Sequence, residues 1–159
     1  MAFKRVLIAN RGEIALRILR ALRDMGIEAA IIHGREDRLS LPVRLADIAV
    51  PIIRENPIDS YLDIEAVVQA AKDVEADAVH PGYGFLADNA NFVQRLEEEG
   101  ITFIGPSSKV ISKVVRAGGF VGKNSRHTSS NALKSLRSVK KTCAFTTFDR
   151  EESDDSKVV

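Results

Sequence analysis

The chain has 159 residues, 23 Lys+Arg against 22 Asp+Glu, one cysteine, no tryptophan and 45% hydrophobic residues, which suits one ordinary domain with a tail. A net charge of +1 gives no basic field for nucleic acid, and a single cysteine can form neither an internal disulfide nor a CxxC site, which fits a reducing compartment. No run approaches the roughly 18 apolar residues of a membrane span, and the apolar stretch 6–9 is too short for a signal-peptide core, so a cytoplasmic location without a membrane partner is expected.

Taken in chain order, residues 5–9 form a short β-branched apolar run that predicts a buried strand. From Glu13 the pattern turns helical, with Ile14, Ile18, Leu22 and Met25 on one face and Gly26 as the stop. Residues 27–33 predict a second buried strand, and 47–53 a third, weakened by Pro51. Asp63 is placed to cap a helix whose Ile64, Val67, Val68 and Ala71 make one stripe. A short strand at 77–79 runs into His80-Pro81-Gly82. Asp88 or Asn89 opens a further helix through Phe92, Val93 and Leu96, and Gly100 closes it. Residues 101–104 predict a last strand, stopped by Gly105-Pro106. Strands alternating with helices of this length predict a parallel, doubly wound, Rossmann-like α/β sheet.

Composition breaks after Lys113. The first 113 residues hold 14 Lys+Arg and 17 Asp+Glu, all five prolines and 6 Ser+Thr, whereas the last 46 hold 9 basic, 5 acidic and 11 Ser+Thr residues. Residues 1–113 are therefore expected to be the folded domain and residues 114–159 a divergent, largely irregular and disordered tail. Within the tail, Leu133, Leu136 and Val139 suit a short helix. Its run 118–123 (Gly-Gly-Phe-Val-Gly-Lys) lacks the spacing of a phosphate loop.

Ligands of doubly wound sheets sit beyond the carboxyl ends of the strands, which directs attention to three segments: Asn10–Glu13, the stretch after His33, and His80–Phe85. Asn10-Arg11-Gly12-Glu13 is a strand-to-helix turn whose free N–H groups suit an anion. Only one of the three glycines of the dinucleotide fingerprint is present, so a plain turn with Glu13 at the helix start is the competing reading. In His80-Pro81-Gly82-Tyr83-Gly84-Phe85-Leu86, Gly82 and Gly84 flank a polar aromatic straight after a strand, so that the backbone can turn sharply and offer Tyr83. His80 suits either a proton carrier or a hydrogen-bonded structural residue. No serine–histidine–acid set and no metal-ligand spacing is present. Arg17, Arg20 and Asp24 make one charged stripe on the first helix, read either as a solvated face or as an isologous dimer contact.

Ile8 to Ala15 (IANRGEIA), Val43-Arg44-Leu45-Ala46-Asp47, His80 to Leu86 (HPGYGFL) and Phe103-Ile104-Gly105-Pro106-Ser107, in this order, resemble the N-terminal domain of biotin carboxylases over about residues 3–113. These are the carboxylating units of acetyl-CoA, acyl-CoA and pyruvate carboxylases. The resemblance implies a pre-ATP-grasp domain of a ligase that uses ATP and Mg²⁺ to activate bicarbonate and then carboxylates biotin on a carrier domain. It implies a homodimer through Arg17, Arg20 and Asp24, and biotin carboxyl carrier and carboxyltransferase components as partners. It also implies a place for Tyr83 beside the biotin end of the cleft, in a loop shaped by Gly82 and Gly84. Three positions depart from the family pattern: Asp24 where bacterial relatives usually have Glu, Pro42 where a histidine is usual, and Ile48 where a glutamate is usual.

A larger departure follows Lys113. The family continues into an ATP-contacting lysine, a glycine-rich lid, Mg²⁺-binding acids and a bicarbonate-binding arginine, and this chain has no counterparts. The expectation is an N-terminal part of a biotin carboxylase, inactive alone, whose reading frame or splicing leaves the family sequence near Lys113. The alternatives are a non-catalytic interaction module that dimerises with intact carboxylase subunits, and a small-ligand-binding α/β domain. Neither tightly bound cofactor nor resident metal is expected of this chain.

Overall fold

Apolar runs with two buried faces become neighbouring parallel strands here, and the helices between them cover both faces. The computed structural model describes residues 3–118; the tail readings at 118–123 and at Leu133, Leu136 and Val139 fall wholly or mostly outside it. In chain order the elements are β1 (Arg5–Ile8), α1 (Gly12–Asp24), β2 (Glu28–His33), α2 (Leu41–Leu45), β3 (Ile48–Pro51), a 3-10 turn (Pro57–Tyr61), α3 (Ile64–Asp73), β4 (Ala78–His80), α4 (Ala90–Glu98), β5 (Thr102–Phe103) and α5 (Ser108–Gly118). All strand pairs are parallel, in the order β3-β2-β1-β4-β5. The expected Rossmann-like sheet is what forms.

Side chains alternate across a strand, so β1 feeds two cores. Val6 and Ile8 pack with Ala15, Leu19 and Leu22 of α1 and Val43 of α2. Leu7 and Ala9 face the other way, among Val67, Val68 and Ala71 of α3 and Phe92 and Leu96 of α4. Each fully buried Leu, Ile or Phe of these layers stabilises the fold by roughly 1.5–3 kcal/mol.

The apolar face of α1 differs from the sequence expectation at its end. Ile14 and Leu22 are buried and Ile18 is partly buried, but Met25 is exposed and Leu19 takes its place in the core. The cause is the helix stop: Gly26 adopts φ +68°, and the Ile27 N–H reaches back to the Leu22 carbonyl at 2.9 Å. That reversal turns Met25 outward and sends Ile27 into the core.

The caps fall where the sequence puts them. Asp63 accepts from Ala66 N at 3.0 Å, and Asn89, rather than Asp88, accepts from Asn91 N and Phe92 N at 3.0 and 3.1 Å. Pro42 stands in the first turn of α2, where a missing N–H leaves no helical bond unmade. Three elements had no expectation: α2, the 3-10 turn and α5. The last of these runs through the change of composition after Lys113.

Candidate functional site

The strand order reverses between β1 and β4, so the crevice of a doubly wound sheet opens beyond their carboxyl ends. Asn10 fills it. Its side chain is buried, and its Nδ2 donates to the carbonyls of Pro81 (2.7 Å) and Tyr83 (2.9 Å). Its Oδ1 accepts from Arg11 N at 2.8 Å. One amide thus ties the end of β1 to the loop after β4, using both donors and the acceptor.

The 80–85 loop is shaped by positions that only glycine fits easily. Gly82 has φ +66° and Gly84 φ +68°. A methyl group on Gly82 would stand 2.7 Å from Asn10 Nδ2 and 2.7 Å from Ile14 Cγ2, so the backbone lies directly on the Asn10 clamp. Tyr83 is left 65% exposed, with its carbonyl held and its ring free.

His80 accepts a hydrogen bond at Nδ1 from Gly82 N, 3.0 Å away. Burial pushes its pKa below the ordinary histidine value. Both observations fit a neutral imidazole that braces the loop.

The turn after β1 starts α1 with Arg11 as N-cap, without a side-chain cap bond, and with Gly12 at φ +63°. Glu13 lies exposed in the first turn, where the helix dipole favours its charge. Arg11 points instead toward β2's loop. Its NH2 donates to Asp37 Oδ1 and its Nε lies beside Asp37 Oδ2, each at 2.8 Å. Tyr61 donates its hydroxyl hydrogen to Asp37 Oδ2 at 2.7 Å and accepts from Gly34 N at 3.1 Å. Burial alone would raise the Asp37 pKa, but the hydrogen bonds from Arg11 and Tyr61 outweigh it and hold the carboxylate below its usual range. Burial and then the Asp37 hydrogen bond push the Tyr61 phenol strongly upward. The Arg11 guanidinium is held charged by its hydrogen bond to Asp37.

Sequence reasoning pointed to the segments that hold Asp37 and Phe85 without naming a role for either residue, and it missed Tyr61. Tyr61 carried a usable signal: it is one of two tyrosines, and a tyrosine next to an apolar helix stripe needs a partner for its hydroxyl once buried.

Arg17, Arg20 and Asp24 occupy exposed positions along α1, and none forms an ion pair among the described residues. Arg23, by contrast, donates to the Leu45 carbonyl and joins α1 to α2. The chain therefore brings the Asn10 turn and the 80–85 loop together, and leaves the α1 stripe as a separate, unpartnered feature.

Strand-end loops thus converge at the topological switch point of a parallel α/β domain, the place where ligands of such sheets usually sit. The sequence profile of "Biotin carboxylase, N-terminal domain" matches residues 2–111, and the chain belongs to that family. It is 50% identical over 109 residues to the 2-oxoglutarate carboxylase small subunit of Hydrogenobacter thermophilus, covering 69% of this chain and 23% of the relative. It is 50% identical over 111 residues to biotin carboxylase 1 of Bacillus subtilis, covering 70% and 25%. The chain thus spans about a quarter of the length of these relatives. Among solved structures it is similar to the biotin carboxylase domain dimer of H. thermophilus 2-oxoglutarate carboxylase, in complex with MgADP, ADP and bicarbonate. That match has a TM-score of 0.68 and 44% identity and covers 75% of this chain and 28% of the other. The pyruvate carboxylase of Rhizobium etli aligns with a TM-score of 0.69 at 38% identity, over 72% of this chain and 12% of the other.

Among the described residues, no group of three or more His, Cys, Asp or Glu side chains stands ready to hold a metal ion. No helix among the described residues is long and apolar enough to cross a membrane.

Proposed function

We propose that this chain supplies the N-terminal wall of a biotin carboxylase active site, with Tyr83 facing the biotin end of the cleft, and that it does not turn over alone. The observation that carries this reading is the Asn10 clamp, which fixes the backbone on both sides of Gly82 and leaves the Tyr83 ring exposed. A held backbone with a free aromatic side chain is a preorganised contact surface. By family, ATP, Mg²⁺ and bicarbonate belong to the reaction, whose phosphoryl transfer needs positioned cations and metal ligands. Residues 1–113 carry the family pattern of this reading, and α5 continues past its end to Gly118.

The exposed α1 stripe supports a second role. Arg17, Arg20 and Asp24 carry both charge signs on one helix face, as an isologous contact with a second copy or with an intact carboxylase subunit requires. Carrier and carboxyltransferase components would then be met through that subunit.

Two assays test the proposal on the purified 159-residue chain. Bicarbonate-dependent ATP hydrolysis is expected to be absent, and turnover above background would overturn the inactivity. Co-purification with an intact carboxylase subunit is expected, with loss on Arg20→Glu; no association at micromolar protein would remove the dimer role.

A further inference from the structure

Asn10 is one of two grips on the 80–85 loop, and the second begins at the next residue. Tyr61 is 2% exposed, and its hydroxyl is shared between the Asp37 carboxylate and the Gly34 N–H. Arg11 closes this group from above: it meets both oxygens of Asp37, and its guanidinium carbon lies 5.7 Å from the centre of the Tyr61 ring. The Tyr61 ring also packs against Phe85, with centroids 5.2 Å apart and planes at 31°. Phe85 is in the left-handed region, at φ +45°. A bulky side chain there is strained and persists only where its surroundings enforce it.

Two features separate this arrangement from plain core packing. A phenylalanine at 61 would fill the same volume, so the hydroxyl and its two partners serve direction rather than bulk. The Arg11–Asp37 pair is partly exposed, with 42% and 15% of the side chains accessible, and such pairs add little to global stability. Its effect is therefore local, on the residues that Tyr61 touches.

We propose that Asp37 and Tyr61 are positioning residues: with Arg11 they hold Phe85 in its left-handed conformation and so fix the direction in which Tyr83 leaves the domain. The loop is anchored at Pro81 and Tyr83 by Asn10, and at Phe85 by the Tyr61 ring. Both anchors start from adjacent residues at the end of β1, so the Asn10-Arg11 dipeptide sets the geometry of a loop some seventy residues later. This rests on the reading above only for what Tyr83 would meet; the order of the loop itself is measured without any ligand.

The test is amide hydrogen exchange followed by NMR on the full 159-residue chain, as wild type, Asp37→Asn and Tyr61→Phe. Three amides report the loop: Gly82, bonded to His80 Nδ1, Ala87, bonded to the Gly84 carbonyl, and Asn89, bonded to the Leu86 carbonyl. Exchange at these three is expected to rise about tenfold in both variants, while Val93 and Leu96 in α4 change by less than about twofold. Equal acceleration in loop and α4 would mean a merely structural role, and no acceleration in the loop would mean no role; either result overturns the proposal. If Asp37→Asn fails to fold, the isosteric Tyr61→Phe decides. Biotin added to the same samples separates the two readings. Faster loop exchange with no biotin-dependent shift in wild type keeps the anchor and removes biotin as the contact of Tyr83, whereas unchanged exchange removes the anchor whatever biotin does.

Discussion

Replacing Asn10 by alanine removes a side chain that makes three hydrogen bonds from a buried position: two donated to the Pro81 and Tyr83 carbonyls and one accepted from Arg11 N. A neutral intramolecular bond contributes about 0.5–1.5 kcal/mol net, and a buried partner left unmatched costs more. Three bonds therefore amount to about 2–4 kcal/mol, a large share of the roughly 5–15 kcal/mol that separates a domain from its unfolded chain. At about 4–8 °C per kcal/mol for a domain near this size, Asn10→Ala should lower Tm by roughly 10 °C or more. Urea denaturation followed by far-ultraviolet circular dichroism measures the loss directly. Asn10→Asp sharpens the test, because it keeps the volume but turns a carboxylate toward two carbonyl oxygens and should destabilise at least as much at neutral pH. A loss below about 0.5 kcal/mol in Asn10→Ala, within the range of ordinary surface changes, would refute the clamp.

Gly82→Ala meets two obstacles, its φ of +66° and a new methyl 2.7 Å from Asn10 Nδ2 and Ile14 Cγ2, and should cost about 2–5 kcal/mol. Adding Asn10→Ala should recover only part of that, since Ile14 still blocks the site, and full additivity in the double variant would show that the two residues do not meet. His80 carries a pH signature: burial lowers its folded pKa, so the unfolded chain takes up a proton first, below about pH 6.5. Stability should fall as the pH drops through that value and level off once the folded imidazole is also protonated. His80→Gln should flatten this part of the urea-midpoint profile, and an unchanged slope would deny His80 the effect.

Much of the framework could be read from the chain because each layer left a local signal. β1 and β2 are apolar runs with two buried faces, and Asp63 and Asn89 announce α3 and α4 by side chains that accept the free N–H groups of a first turn. Met25 was misplaced because helical spacing alone does not say where Gly26 reverses the chain. α2 and the 3-10 turn are five residues each, shorter than one period of a convincing apolar stripe. Of the site, Asn10, Gly82 and Tyr83 were visible as strand-end residues, and the topology explains why they meet. The grouping of Asp37, Tyr61 and Phe85 was not, because they come from three segments far apart in the chain. Their association depends on where β2, β3 and β4 end in space, which no spacing within one segment records.

The proposed contact of Tyr83 with biotin is open to direct measurement. Titrating biotin into the isotopically labelled 159-residue chain should shift the Tyr83 ring and the Gly84 amide, leave Val93 and Leu96 of α4 unmoved, and lose its effect in Tyr83→Ala. Shifts centred on α4, or none at the highest soluble biotin concentration, would contradict it.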